Sequence, residues 1–169
     1  MVVDIELERF MLTSLKEHHV TDEYLAWFED GETKKYIDYA LEQRSKNDLK
    51  AFVRSKDARS DVLFLAIFDK INMKHIGNIK YEPIDSQAGT ATMGILIGAN
   101  DWRGKGVGPD VIKGSALWMK KNMGINKFYL GVDVGNLAAV RAYNKIGFKK
   151  IKKELAEPHN TAMMMEMSI

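Results

Sequence analysis

The most informative stretch of the chain is Trp102-Arg103-Gly104-Lys105-Gly106-Val107-Gly108-Pro109. An apolar run typical of a β-strand, residues 93–98, precedes it, and a segment with a helical pattern, residues 110–122, follows it. Glycines let a backbone approach a ligand closely, and the free N–H groups of a first helical turn attract anions. Arg103 and Lys105 add positive charge at the same place. The stretch therefore predicts a phosphate site, and we expect the phosphate to be the pyrophosphate of a cofactor.

Several backbone groups of this stretch can bind the pyrophosphate. Pro109 has no N–H and instead suits the first turn of the following helix. The available N–H groups are those of Gly104, Lys105, Gly106, Val107 and Gly108. As an alternative, the stretch is a plain strand-to-helix turn that needs glycine only for its geometry. It lacks the Gly-Lys-Ser/Thr of a P-loop and the complete glycine pattern of a dinucleotide-binding fold.

Composition restricts the class of protein. A chain of 169 residues has the size of one domain, and we expect residues 1–169 to form a single domain. The net charge of +2 disfavours a nucleic-acid partner, and no apolar run approaches the ~20 residues that span a bilayer. The absence of cysteine excludes a disulfide and a cysteine nucleophile. Acidic residues within the first 13 disfavour a secretory signal, so we expect a cytoplasmic protein without a membrane partner.

Hydrophobic periodicity predicts the elements of the first half. Residues 3–12 contain apolar residues that alternate with charged ones, which indicates a first strand. Thr21 begins a short helix, and Ser45 begins a second helix that extends to about Lys56, with the pattern of a capping box. The segment between these helices, residues 31–44, is predicted to be a loop with partial helix.

The second half alternates strands and helices. Strands are predicted at residues 62–68, 75–81 and 90–97, with turns at 69–73 and 85–89 between them. After the helix at 110–122 come a strand at 127–134, a helix at 137–146 and closing strands at 148–153 and 162–167. Gly147 suits the end of the second of these helices. The order β-α-α-β-β-β-α-β-α-β-β implies an α/β protein of mixed α+β type with helices on both faces of the sheet.

Two motifs support a resemblance to a known family. Arg103-x-x-Gly106-x-Gly108 lies between a strand and a helix, and Asn136 is followed by Tyr143 and then by Gly147-Phe148. With the element order, these motifs are similar to those of the GNAT superfamily of acyl-CoA N-acyltransferases. The segment Tyr24-Leu25-Ala26-Trp27-Phe28 resembles the branch with ribosomal-protein N-terminal acetyltransferases and many small-molecule and sugar acetyltransferases.

The resemblance implies a central, mostly antiparallel sheet and acetyl-CoA as co-substrate. By resemblance, Arg103 and the glycine stretch bind the pyrophosphate, and Lys145 either contacts a phosphate or belongs to a solvated helix face. The pantetheine arm is expected to contact the backbone of a strand that opens away from its neighbour. The residues of that strand are Ile95, Leu96 and Ile97.

The resemblance assigns the role of general acid to Tyr143. Acyl transfer to an amine expels a thiolate, and the ordinary pKa values of a thiol (~8.5) and of a tyrosine (~10) are close enough for proton transfer. As an alternative, Tyr143 only packs its helix on the sheet. Asn136 likewise has two roles, as the N-cap of that helix and as a contact of the pantetheine arm.

The general base and the acceptor site are less defined. Many relatives use a glutamate on the strand before the glycine stretch, but residues 90–93 contain no carboxylate. His75, Glu82, Asp85 and a water chain remain alternatives for the base. The residues expected to contact the substrate are Trp27, Tyr36, Tyr39 and Glu82.

The resulting hypothesis is an N-acetyltransferase that moves an acetyl group directly to a primary amine of a small molecule, such as an amino sugar. The alternatives are a protein N-terminal acetyltransferase and a non-catalytic CoA-binding module. No metal is expected, and a homodimer is an option that the resemblance leaves open.

Overall fold

The computed structural model describes residues 2–31, 33, 45–151 and 162–169. Its helices are α1 (Asp22–Ala26), α2 (Lys46–Asp57), α3 (Val107–Met123) and α4 (Leu137–Ile146). Short 3-10 turns at Glu17–His19 and Asn100–Trp102 precede α1 and α3. Its strands are β1 (Asp4–Glu6), β2 (Phe10–Ser14), β3 (Leu63–Asp69), β4 (His75–Asp85), β5 (Thr90–Ile97), β6 (Lys127–Asp133), β7 (Lys149–Lys150) and β8 (Ala162–Ser168).

All these strands belong to one sheet in the order β1-β2-β3-β4-β5-β6-β8-β7. Neighbouring strands are antiparallel except β5 and β6, which are parallel. A parallel pair needs a crossover connection, and α3 supplies it. The predicted mixed, mostly antiparallel sheet is therefore confirmed.

The helices cover both faces of the sheet, also as predicted. Leu65 and Ile67 of β3 pack in the core that contains α3 and α4, which we call the α3/α4 face. Ala66, between them, packs in a second core with Leu49 and Val53 of α2, which we call the α1/α2 face. The alternation of side chains along each strand thus assigns its residues to two different environments.

The first predicted strand is wrong, because residues 3–12 form two strands with a turn between them. Leu7 N–H donates to the carbonyl of Phe10 (2.9 Å), and β1 and β2 pair as a hairpin. The buried apolar residues are at odd positions before the turn (Val3, Ile5) and at even positions after it (Phe10, Leu12). This change of phase marks the turn, because one face of a strand has a period of two residues.

Other boundaries shift by a few residues. α3 begins at Val107 instead of residue 110, with Pro109 in its first turn, where a missing N–H costs nothing. β4 continues past residue 81 to Asp85. The strand predicted at 148–153 is observed only as Lys149–Lys150, and its last two residues lie outside the described residues.

The predicted helix starts are confirmed. Ser45 and Asp48 form the capping box of α2, and the side chain of Thr21 accepts the N–H of Tyr24 at the start of α1. Gly147 ends α4 in the left-handed conformation at φ 120°. The loop predicted at 31–44 lies largely outside the described residues.

Candidate active site

A gap opens between β5 and β6. The two strands pair only at their beginnings, where residues 90–92 face residues 127–129. Beyond Thr92, β5 pairs with β4 and β6 pairs with β8, but not with each other. The edge of residues 93–97 that faces β6 therefore has no partner strand in the described structure. Such an edge can pair with an extended ligand that contains amides, as a further strand would.

A cavity of 550 Å³ lies at this gap and is lined from both faces of the sheet. From the α3/α4 side it is lined by Met93, Ile95, Ile97, Leu130, Val132, Ala139 and Tyr143. The wall on the α1/α2 side includes Tyr24, Phe28, Phe52, Phe64, Asn78, Lys80, Gly94 and Leu96. The cavity therefore connects two faces that a continuous sheet would separate.

Tyr143 of α4 lines this cavity. Its ring packs edge-on against Phe148 (centroid distance 5.8 Å), and burial raises the pKa of Tyr143 to about 12. The hydroxyl has no hydrogen-bond partner among the residues that the structure describes. The side chain of Tyr143 therefore packs on the sheet and also reaches the cavity. Because its pKa is raised, the hydroxyl keeps its proton at neutral pH.

Asn136 lies beside Tyr143 in the cavity wall. Its side-chain oxygen accepts the N–H of Ala139 (3.1 Å), so it is the N-cap of α4, as predicted. The cap uses the oxygen only, and the amide nitrogen makes no hydrogen bond within the described residues. A contact with a ligand therefore remains compatible with the cap.

The glycine stretch presents free backbone donors. Gly104 and Gly106 have positive φ angles of 73° and 77°, which any other residue adopts with difficulty. Among the described residues, no acceptor binds the N–H of Gly104, Gly106, Val107 or Gly108. Four donors at a helix N-terminus fit a pyrophosphate, although residues 104–108 lie outside the cavity wall itself.

Arg9, from the turn between β1 and β2, holds the glycine stretch in place. Its guanidinium donates to the carbonyl of Lys105 (3.0 Å) and to the carboxylate of Asp110 (3.1 Å). The ammonium of Lys105 lies 5.8 Å from the ring centre of Trp102. Arg9 was not among the predicted residues, since 96 positions separate it from the carbonyl that it binds.

Arg103, which the resemblance assigns to the pyrophosphate, has partners within the protein. Its guanidinium donates to Asp30 Oδ2 (2.9 Å), to Thr33 Oγ1 (3.1 Å) and to the carbonyl of Ile97 (3.0 Å). The hydrogen bond from Arg103 lowers the pKa of Asp30. Arg103 therefore ties the segment after α1 to the end of β5, and much of its charge is compensated there. Lys145 is exposed and does not line the cavity.

The predicted substrate residues are not brought together in the described structure. Trp27 is buried against the backbone of Gly98, where an added Cβ would lie 1.9 Å from the Trp27 ring, and it does not line the cavity. Tyr36 and Tyr39 lie outside the described residues. Aromatic residues that the sequence did not single out, Phe52 and Phe64, form part of the wall instead.

Glu82 also lies outside the cavity wall. Its carboxylate accepts Lys56 Nζ (2.6 Å) and Lys80 Nζ (2.7 Å) and forms an ion pair with Arg59. Burial alone would raise the pKa of Glu82, but its hydrogen bonds with Lys56 and Lys80 outweigh burial and lower it. Glu82 therefore fixes cations, one of which, Lys80, does line the cavity.

Two of the proposed bases are occupied elsewhere. His75 Nε2 lies 2.8 Å from Asn78 Oδ1 and 3.1 Å from the carbonyl of Gly77, and burial lowers the pKa of His75. Asp85 accepts the N–H groups of Gln87 and Ala88 in a turn (both 2.9 Å). Neither side chain lines the cavity.

Asp133 is a carboxylate of the cavity wall that the sequence motifs do not single out. It ends β6 and lines the cavity, and its Oδ1 accepts the N–H of Gly135 (2.7 Å). Among the described residues of the wall, it is the single acidic side chain. Its position three residues before Asn136, at the end of a strand that runs into the second motif, is the signal that could have identified it.

Within the described residues, no helix has the length and apolar character needed to cross a membrane. The same part of the chain contains no cluster of three or more side chains suited to bind a metal ion.

Sequence comparison identifies relatives of this chain. Residues 9–149 match the family model of the Acetyltransferase (GNAT) domain. The chain is also 36% identical over 90 residues to YobR of Bacillus subtilis, an uncharacterized N-acetyltransferase. That match includes 53% of this chain but spans only 34% of the length of YobR.

Solved structures share the architecture. RimL, a ribosomal L7/L12 alpha-N-protein acetyltransferase in complex with coenzyme A, gives a TM-score of 0.86 at 16% identity over 99% of this chain and 98% of that chain. MccE, the microcin C7 self-immunity acetyltransferase in complex with acetyl-CoA and AMP, gives a TM-score of 0.80 at 17% identity over 96% of this chain and 93% of that chain. At such identities the likeness concerns the fold. Because the family model matches most of its length, the chain belongs to the GNAT acetyltransferase family.

Proposed function

We propose that this protein moves the acetyl group of acetyl-CoA directly to a primary amine of a small molecule, and that it does so as a single domain. The observation that carries the proposal is the cavity at the β5–β6 gap, which joins Tyr143 to the wall on the α1/α2 face. A ligand on one face can therefore react with a ligand on the other. Since the chain has no cysteine, a thioester-linked enzyme intermediate is excluded, which supports a complex in which both substrates are bound together.

The residues present fit acetyl-CoA. The free N–H groups of Gly104, Gly106, Val107 and Gly108 would hold its pyrophosphate at the start of α3. The unpaired edge of residues 93–97 would bind the amide-containing arm in the manner of a strand. Asn136 and Ala139, at the start of α4, border the same gap. Arg103 contributes by holding the wall instead of binding phosphate, because Asp30 and Thr33 occupy its guanidinium.

Two side chains would manage the protons. Bound acetyl-CoA supplies a thioester, whose C–S bond breaks as the amine nitrogen forms a C–N bond with the acetyl carbon. Burial raises the pKa of Tyr143 to about 12, further from that of a thiol (~8.5), so its hydroxyl hydrogen-bonds the sulfur first and passes its proton only as negative charge develops there. Asp133 accepts the proton that the amine loses, directly or through one water. Exchange through solvent then restores both residues, and overall one proton moves from the amine to the thiol.

The first experiment measures binding and turnover. Addition of CoA should raise the thermal midpoint of the protein, and a panel of small primary amines with acetyl-CoA should release thiol. Turnover only with a peptide N-terminus would favour a protein acceptor, as the name of RimL suggests for that enzyme. Binding of CoA without turnover of any amine or peptide would indicate a non-catalytic module, and no response to CoA would refute the proposal.

Variants test the roles of the two side chains. Tyr143→Phe should lower kcat about 10²-fold while the thermal shift with CoA is retained, because only the proton donor is lost. Tyr129→Phe, on β6 but outside the cavity wall, is the matched control and should be as active as the wild type. Asp133→Asn should lower kcat most at low pH and least as the pH approaches the pKa of the amine, since a free amine needs no base. A full-rate Tyr143→Phe, or an Asp133→Asn loss that is equal at every pH, would remove that residue from its role.

A further inference from the structure

Asn78 of β4 has an unsatisfied donor in the cavity wall. Asn78 is only 4% exposed, and its side chain faces the α1/α2 side between Ala66 of β3 and Leu96 of β5. His75 Nε2 must carry a hydrogen because it also contacts the carbonyl of Gly77, which can only accept. Asn78 Oδ1 is therefore the acceptor of that bond, and Nδ2 is a donor.

This donor, Asn78 Nδ2, is buried and has no partner within the described residues. A buried donor without an acceptor is costly, and native proteins contain few of them. Because Asn78 lines the cavity, an acceptor atom of a bound ligand would satisfy this donor. The hydrogen bond from His75 to Asn78 Oδ1 fixes the orientation of the amide, so the group that is left without a partner is the nitrogen.

Lys80 adds a cation to the same wall. It lies two residues after Asn78 on β4, so both side chains point to the same face. Although Lys80 Nζ contacts Glu82, that carboxylate also binds Lys56 and Arg59, and Arg59 pairs with Asp61 as well, so three cations share two carboxylates. Opposite Lys80 on β5 is Gly94, where an added Cβ would meet no atom within 4 Å. The space between Lys80 and the gap is therefore open.

The far side of the gap has the opposite charge. Asp133 ends β6. Leu130 and Val132 pack on the α3/α4 face, so Gly131 and Asp133, which alternate with them, point to the α1/α2 face. A donor and a cation on β4 thus lie across the opening from a carboxylate on β6. This arrangement is complementary to a ligand with an anion at one end and an ammonium at the other.

We infer that the acceptor is an amine that also carries an oxyanion, either a carboxylate or a phosphate, which Asn78 and Lys80 bind while the amine lies towards Asp133. The inference rests on the proposed function and specifies its substrate class. A polyamine is disfavoured, because its second ammonium would face Lys80. The oxyanion accepts from both Asn78 and Lys80, whereas a neutral amine leaves the buried donor of Asn78 unpaired.

The test compares acceptors that differ only in the anion. Alanine is paired with alaninamide, and O-phosphoethanolamine with ethanolamine, within the amine panel, and spermidine represents polyamines. Each kcat/KM is expressed per free-base amine, so that different amine pKa values do not mask the comparison. We expect the anionic member of at least one pair to be preferred about tenfold or more, and the preferred pair distinguishes carboxylate from phosphate.

Variants then locate the preference. Lys80→Met should lower kcat/KM for the anionic acceptor about tenfold, mainly through KM, and change the neutral acceptor little. Lys121→Met, an exposed lysine at the end of α3, is the matched control and should change neither. Asn78→Asp keeps the bond from His75 but replaces the donor by an oxygen, so it should reverse the preference. A retained thermal shift with CoA verifies that each variant is folded.

The outcomes separate this inference from the proposed function. Acetylation with equal kcat/KM for anionic and neutral partners, preference for spermidine, or an equal loss of both activities in Lys80→Met would overturn the inference alone. A protein that neither binds CoA nor releases thiol with any amine would overturn both.

Discussion

The glycine stretch and the part of the cavity wall that includes Asn78, Lys80, Thr33 and Arg103 are built in different ways. The first is contiguous, and its donors are backbone N–H groups that a short run of residues positions by its own conformation. The second combines side chains from β4 and from the segment after α1, which meet only because the sheet and Arg103 bring them together. A site made of local backbone conformation can be recognised in a sequence, but one made of distant side chains requires the register of the strands.

The largest expected effect concerns two glycines of the β5 region. Gly98→Ala would place a methyl group 1.9 Å from the Trp27 ring, and such overpacking should destabilise the protein by about 1–3 kcal/mol. A methyl group at position 94 would meet no atom within 4 Å, so Gly94→Ala should change the stability by less than about 0.5 kcal/mol. Because Gly94 lines the cavity, the same methyl group should occupy acceptor space and lower kcat/KM. Thermal unfolding and kinetics of both variants check this. Equal thermal midpoints for the two would contradict the packing of Trp27.

A smaller effect is expected within the glycine stretch. Gly106→Ala forces a left-handed conformation that costs about 1–2 kcal/mol for a residue with a Cβ, so the loop should shift and CoA should bind about tenfold more weakly. Gly108→Ala is the matched control, because Gly108 is helical and has open space around it. It should bind CoA as the wild type does and be slightly more stable. Titration calorimetry with CoA measures both, and equal affinities of the two variants would refute a backbone-built site.

The smallest effect should come from the ion pair between Arg103 and Asp30. The hydrogen bond from Arg103 lowers the pKa of Asp30 below its ordinary 3.8, so the fold favours the ionised carboxylate. The stabilisation is therefore complete at neutral pH and is lost as the pH falls through the lowered pKa. Arg103→Met should have a lower thermal midpoint than the wild type at pH 7, and the difference should shrink below about pH 4. Asp30→Asn should behave similarly, and the double variant should lose little more than either single one. Additive losses would show that the pair is not coupled.

Much of the fold followed from local patterns. The caps at Ser45, Thr21 and Gly147 and the bounds of α4 were predicted correctly, because capping depends on neighbours within four residues. The sequence pattern does not predict the hairpin of β1 and β2, because the period-two alternation on each side of the turn is also typical of one continuous strand. The phase change between Leu7 and Phe10 was present in the sequence and marks the turn.

The structure brings together only some of the residues that the sequence predicts for the site, and this has a physical reason. Tyr143, Asn136 and residues 95–97 of β5, which the resemblance assigns to the site, all line the cavity. For Arg103 the sequence predicts a phosphate contact, and the structure adds Asp30, 73 residues away, as a partner, because charge alone does not specify which anions a guanidinium binds. Likewise Trp27 was expected to bind substrate and instead packs in the core, because an aromatic residue suits either place.

By itself, the sequence determined the family, the order of the elements from α1 onward, the glycine stretch before α3 and the absence of a cysteine nucleophile. Each of these depends on residue identity or on contacts within a few positions of the chain. Only the tertiary structure decided that Asp133 lies in the cavity wall, that Glu82 lies outside it and binds three cations, and that Asn78 has a buried donor without a partner in the described residues. These features depend on which strands pair and where β5 parts from β6, and that geometry arises from packing across the whole sheet.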